Sequence, residues 1–74
     1  ILYMVEELIK NDDGRIVDTM YVDVNKHFEK KFFEKHQIIG KRGSEIFPES
    51  LPQFLHFMNI ALKEKRSITF LLLL

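Results

Sequence analysis

The stretch IIGKRGSEIFPE, Ile38 to Glu49, decides how the chain is read. Gly40 and Gly43 bracket Lys41 and Arg42, and Ser44 and Glu45 follow. Such a segment is either a cradle for phosphate or a bend between short helices. A phosphate loop needs G-x-x-x-x-G-K-[ST] between a strand and a helix, so that a run of backbone N–H groups meets the anion. Here no Gly-Lys-Ser/Thr is present, and the preceding residues read as helix. A basic turn still attracts anions, but the bend is the better reading. In it Gly40 ends one helical piece, Ser44 caps a single turn, and Pro48 stops that turn. Ile38 and Ile39 are expected to anchor inward.

Upstream, LYMVEELIK (Leu2 to Lys10) reads as a strand. Tyr3, Val5 and Ile9 fall on one face and Leu2, Met4 and Leu8 on the other. Glu6 and Glu7 weaken the alternation, and a short helix is the competing reading. Asp13-Gly14 in NDDGR is a turn signal, because glycine takes a positive φ without steric cost. TMYVDVN (Thr19 to Asn25) alternates as a half-buried strand, with Met20, Val22 and Val24 opposite Tyr21, Asp23 and Asn25. The two strands are expected to pair as a hairpin. Asn25 is placed to cap a helix over Lys26–Phe33, with Phe28 and Phe32 on one face. A second helical piece covers Glu34–Ile39.

Downstream, Ser50 and Gln53 have the form of a capping box, with Pro52 in the first turn. The helix expected from Leu51 to about Glu64 carries Leu51, Phe54, Leu55, Met58, Ala61 and Leu62 on one apolar face. Phe57 lies at its edge, and His56, Asn59, Ile60 and Lys63 lie outside it. After a charged turn, Ile68–Leu74 reads as a strand apolar on both faces, which needs covering on both. The order is strand, strand, short helices, one long helix, strand. That predicts an α+β domain with helices on one side of an antiparallel sheet.

The chain has 74 residues, which fits a single domain over residues 1–74. Its 46% hydrophobic content is too high for a disordered tail. Eleven basic residues balance eleven acidic ones, which argues against nucleic acid as a partner. With no cysteine there is no disulfide, no thiolate metal site and no cysteinyl-flavin chemistry. The seven residues ITFLLLL are too few to span a bilayer, which takes about 20 in a helix. No signal peptide is visible, and the composition fits a cytoplasmic location.

In this order, DGRIVDTMYVDVN, FE, IIGKRGSEIFPE, the amphipathic helix, a polar turn and SITF together resemble a PAS domain. The similarity runs from about Asp13 to Phe70; no single piece is specific, but the ordered set is. The resemblance implies helices packed across a five-stranded antiparallel sheet, with Leu51–Glu64 as the long connector helix. It implies sensing and relay in a bacterial signalling protein, through a small ligand or through dimerisation, to an output domain such as a histidine kinase or a cyclic-nucleotide enzyme. Two departures stand out. The glycine that usually follows the first helix is replaced in the region of Phe32, Phe33 and Glu34. The chain also ends in the third strand. The family orders its strands second, first, fifth, fourth, third, so the middle of the sheet is missing. The first and last strands would then carry unpaired edges, leaving the sheet incomplete within one chain. Either the chain is a C-terminally truncated piece of a longer domain, or a neighbouring molecule fills the gap; Ile68–Leu74 is expected to pair with an unusual neighbour, as in a homodimer through strand edges.

A ligand pocket under this reading is lined by Phe28, Phe32, Ile46, Phe47, Phe54, Leu55 and Met58. The plainer alternative is that these residues form solid core. His27, His36 and His56 show no metal-ligand spacing. His56 lies off the apolar face and about two residues from the position of a haem-ligating histidine in some PAS domains, which disfavours haem. No serine, histidine and acid fall in a catalytic pattern, and the pairs Glu6-Glu7 and Asp12-Asp13 read as solvated, so no catalytic residue is expected. The rival function is a ligand-free interaction module that presents sheet edge and aromatic surface to another chain.

Overall fold

The hairpin turn is built by one side chain. Asn11 Oδ1 accepts from the N–H groups of Asp13 and Arg15, each at 3.0 Å, while Gly14 takes φ +79°. These bonds satisfy the turn's donors and place the positive φ where no Cβ opposes it. The structure is a computed structural model that describes residues 1–72. Strands β1 (Leu2–Lys10) and β2 (Ile16–Val24) leave this turn as an antiparallel pair. Four short helices follow: α1 (Lys26–Lys31), α2 (Lys35–Ile38), α3 (Gly43–Ile46) and α4 (Leu51–Ala61). The last element is β3 (Ser67–Leu72). The fold is α+β, with a three-stranded antiparallel sheet ordered β2-β1-β3. Because β1 is antiparallel to both neighbours, β2 and β3 run parallel, and α1–α4 form the crossover between them.

The expected unpaired edge on β1 is overturned. Residues Leu2 to Glu7 pair with Leu72 to Ser67 in the same chain, so β1 is bonded on both sides. β3 takes the side of β1 that the PAS order gives to a fifth strand. Its neighbour is unusual for a third strand, as expected, but it lies within the chain. Leu73 and Leu74, included in the expected strand, lie outside the described residues.

The simple alternation read into β2 also fails, for a local reason. The register moves from Val5↔Asp23 to Glu6↔Tyr21, which leaves Val22 as an extra residue. A second shift, from Ile9↔Asp18 to Lys10↔Ile16, leaves out Val17. Each bulge changes the phase of the strand by one residue. Val24 and Tyr21 therefore both reach the core, Met20 is half-buried, and Val17 and Val22 are exposed. The paired region also begins earlier than Thr19, because Asn59 on α4 holds Ile16. Its Oδ1 accepts from Ile16 N at 2.8 Å and its Nδ2 donates to Ile16 O at 2.9 Å.

Asn25 caps α1 as its spacing predicts, accepting from Phe28 N at 3.0 Å; the same oxygen accepts from Tyr3 N at 3.2 Å. The helix stops at Lys31, before the expected Phe33. α2 ends against Gly40, whose φ is +83°. Ile38 is fully buried there, whereas Ile39 is exposed. Ser44 is not a cap. The N-cap of α3 is Arg42, and Ser44 turns to Asp18, donating from Oγ at 2.6 Å and from N at 3.1 Å. Ser50 makes no capping hydrogen bond, so the expected capping box is absent. α4 stops at Ala61, and Ala61 itself is exposed. At 11 residues it is the longest helix present, but it falls short of the long connector expected to run to Glu64. The turn after it is fixed by Lys65 N donating to Leu62 O and Lys10 Nζ donating to Lys63 O.

The opening stretch bends, as its glycines suggest, and it bends along an edge. Gly40 N donates to Tyr21 O at 2.9 Å, Tyr21 N donates to Lys41 O at 3.0 Å, and Met20 bridges Arg42. The segment thus covers part of the outer edge of β2. Gly43 is buried against Thr19, and a Cβ at that position would overlap Thr19 Oγ1 and crowd Leu51 at 3.1 Å. Gly43→Ala is therefore expected to lower unfolding stability by about 1–3 kcal/mol, the usual cost of overpacking. Urea denaturation followed by circular dichroism measures it; an unchanged midpoint would show that this approach is not tight.

Candidate functional site

The inward residues of β1 set out the site. Leu2, Met4, Glu6 and Leu8 alternate onto the face that the helices cover. Leu2 belongs to one core cluster, with Tyr21, Val24, Phe28 and Ile38. Leu8 belongs to another, with Ile16 and Met58. Between the two clusters stands Glu6. The apolar interior does not close over it, and a half-open cavity of about 320 Å³ lies there.

The walls are mostly aromatic. Tyr21, Phe28, Phe32 and Phe47 come from one side, Phe54 and Phe70 from the other. Phe28 and Phe32 lie tilted at 45° with centroids 5.0 Å apart, Phe32 meets Phe47 edge-on at 5.6 Å, and Phe54 meets Phe70 edge-on at 5.9 Å. Edge-to-face contacts of this kind fix ring orientation as well as burying area. Phe54 is 47% exposed, because it stands at the rim rather than in packed core.

Five of the seven expected pocket residues, Phe28, Phe32, Phe47, Phe54 and Met58, lie on this cavity. Ile46 and Leu55 do not. Ile46 packs against the Phe28 cluster and Leu55 against the Met58 cluster, so both are core. The apolar periodicity that grouped them with the others carries no information about which side of a helix meets a void.

Several lining residues lie outside the expected set, Tyr21 and Phe70 among them, and the one that differs in chemistry is Glu6. It is only 5% exposed, although the Glu6-Glu7 pair reads as solvated. Thr19 Oγ1 donates to its Oε1 at 2.8 Å, and among the described residues Thr19 is its one hydrogen-bond partner. Burial pushes the carboxyl above the ordinary glutamate value of 4.5, and the Thr19 bond only partly offsets this. Tyr21, opposite Glu6 in the ladder, is pushed up as well, first by its own burial and then by the Glu6 charge. A signal was present in the sequence: Glu6 shares its strand phase with Leu2, Met4 and Leu8, so its register already put it indoors.

The other polar groups are arranged differently. Asp18, 7% exposed, accepts from Ser44 and Thr19 and lies 3.9 Å from Arg42 Nη1, which binds α3 to β2. Lys35 pairs with Asp23 at 2.8 Å on the surface, where salt screens the interaction. That pair holds the Asp23 carboxyl below its usual range. His36 sits 3.3 Å from Glu34 and His27 lies 3.1 Å from the Ile1 nitrogen, while His56 is exposed on α4. The three histidines do not converge. Among the described residues no three metal-ligating side chains come together, and no helix is long and apolar enough to cross a membrane.

Comparison with protein-family models, with curated proteins and with solved structures gives no match.

The Glu6 carboxyl fixes a sign for the pH dependence. With its folded pKa raised, protonation stabilises the native state, fully so below the unfolded value of about 4.5. That contribution is lost as pH rises through the folded pKa. Glu6→Gln is isosteric and cannot ionise, so its stability is expected to decline less than the native chain's as pH rises above 4.5. Taking the difference between the two chains removes the Asp23–Lys35 contribution, which runs the opposite way and is lost as pH falls. Thermal melts of both chains across pH 4 to 8 (roughly the range spanning this linkage) measure the effect. Parallel curves would show that Glu6 is not desolvated in solution.

Proposed function

We propose that this chain is a PAS-like sensory module, which holds a small ligand between its helices and its sheet and relays the change to an attached output domain. The observation that carries this reading is the cavity between the two core clusters, about 320 Å³ in volume and walled by aromatic rings. Ligand sites run from about 300 to 1,000 Å³ and are typically apolar with a few convergent polar groups. The hairpin, the Asn25 cap and the helical layer also agree with the resemblance; the place of β3 beside β1 does not. In this reading the module belongs to a bacterial signalling protein and works in the cytoplasm, with a histidine kinase or cyclic-nucleotide enzyme as its output.

The mechanism is a population shift. A ligand touching Phe28 and Phe47 on one side and Met58 and Phe70 on the other favours one spacing between the clusters. Phe54 and Met58 lie on α4 and Phe70 on β3, so the change reaches the last elements of the chain. Titration with ethylbenzene, a neutral apolar probe, tests the site by amide and methyl NMR. The expected outcome is shifts concentrated at Met4, Phe28, Phe47 and Met58. Shifts confined to the opposite face of the sheet, or none at all, would remove the cavity from the function.

A second reading rests on β3. It has no strand on its outer edge among the described residues, and Leu71 is 65% exposed beside Tyr3 on the face away from the helices. That surface suits a second copy of this chain, which makes the module a ligand-free homodimer. Light scattering across a concentration series distinguishes the two. A two-copy mass that Leu71→Lys reduces to one copy supports dimerisation; a single-copy mass throughout excludes it.

A further inference from the structure

We propose that the cavity selects a cationic amine carried on an aromatic or alkyl body, with the ammonium held by Glu6. The inference rests on the reading of the cavity as a ligand site and names the chemistry of its occupant.

Three observations point the same way. Glu6 is the one charged residue on the cavity wall; no lysine, arginine or histidine lines it. An anionic ligand would bring its charge beside a carboxylate with no cation to receive it, which is unfavourable in a weakly polar interior. A cation finds an opposite charge. Second, the carboxyl is buried and under-partnered: Thr19 donates to Oε1, and the carboxyl's remaining acceptor capacity has no donor among the described residues. A carboxylate accepts at both oxygens, so an ammonium bringing up to three N–H donors completes the set. Third, Tyr21, Phe28, Phe47, Phe54 and Phe70 surround the space next to Glu6. The negative faces of such rings attract cations, and the rest of each ring buries a hydrocarbon body.

Charge and burial thereby complement each other. Without a cation, burial pushes the Glu6 carboxyl toward its neutral form. An ammonium beside it reverses that shift, because an opposite charge favours the ionised state. Binding is then a charge-assisted hydrogen bond to a buried carboxyl, stronger than a neutral one.

The test uses three probes of similar size on the intact chain: 2-phenylethylamine, ethylbenzene and 3-phenylpropionate. Affinities are read by NMR titration at neutral pH. The amine is expected to bind about tenfold more tightly than ethylbenzene, the gain typical of a charge-assisted bond, and the carboxylate more weakly than either. In Glu6→Gln the amine's advantage is expected to vanish while ethylbenzene binding persists. Equal affinities of amine and ethylbenzene in the native chain would overturn the amine assignment and leave the cavity reading intact. Failure of all three probes to shift cavity resonances would overturn both. If Glu6→Gln does not fold, the ratio of the three affinities in the native chain decides the question alone.

Discussion

The fold depends on β1 having a neighbour on each side. A lone hairpin is marginal in water, and three strands with one face covered are enough to stand. β3 supplies the third strand only because α4 returns the chain to the far side of β1, and Asn59 ties that helix to the first residue of β2. The helical layer is thus both the cover of the sheet and the route by which the sheet is completed. Each inward position on β1 must then be met by something from above. Leu2 and Leu8 are met by packed side chains, and Glu6 is met by a void.

Glu6 stands on the wall of the cavity that lies between the two core clusters. A carboxyl there resists close packing by hydrocarbon, since burying it without partners is costly. Thr19 offsets part of that cost, and Gly43 gives Thr19 the room to do so. Three residues from β1, β2 and the start of α3 are therefore one contact unit, and two of them, Glu6 and Gly43, line the cavity.

Much of this was legible in the residues. The alternation of Leu2, Met4 and Leu8, the Asp13-Gly14 turn, the Asn25 cap and the break at Gly40 are local features with local causes, and they stand where the pattern puts them. What escaped depends on contacts between distant parts. The bulges at Val17 and Val22 shift the phase of β2 without any glycine to announce them. Ser50 has the sequence of a cap but not the geometry, and Ser44 is drawn off by Asp18, 26 positions away. The pairing of β3 is the largest such case, since nothing in SITFLL states which strand it will meet. Of the pocket's aromatic residues, the pattern found Phe28, Phe32, Phe47 and Phe54 but not Tyr21 or Phe70 on the strands, and it could not separate Ile46 and Leu55, which pack into the core clusters, from Phe54 at the rim. Glu6 is hard to read because its charge argues for solvent while its register argues for the interior.

The two outer edges of the sheet are not alike. Gly40, Lys41 and Arg42 lie along β2 and use up hydrogen bonds that another strand would need, whereas β3 has no such guard among the described residues. Over Met20 and Tyr21 the β2 edge is therefore closed to an added strand, and the β3 edge is the more open of the two. Two molecules meeting along β3 in a two-fold arrangement would bury both open edges and leave the partly covered β2 edges outside. The bend whose glycines resemble a phosphate loop thus works as an edge guard, biasing the sheet against growth on its β2 side.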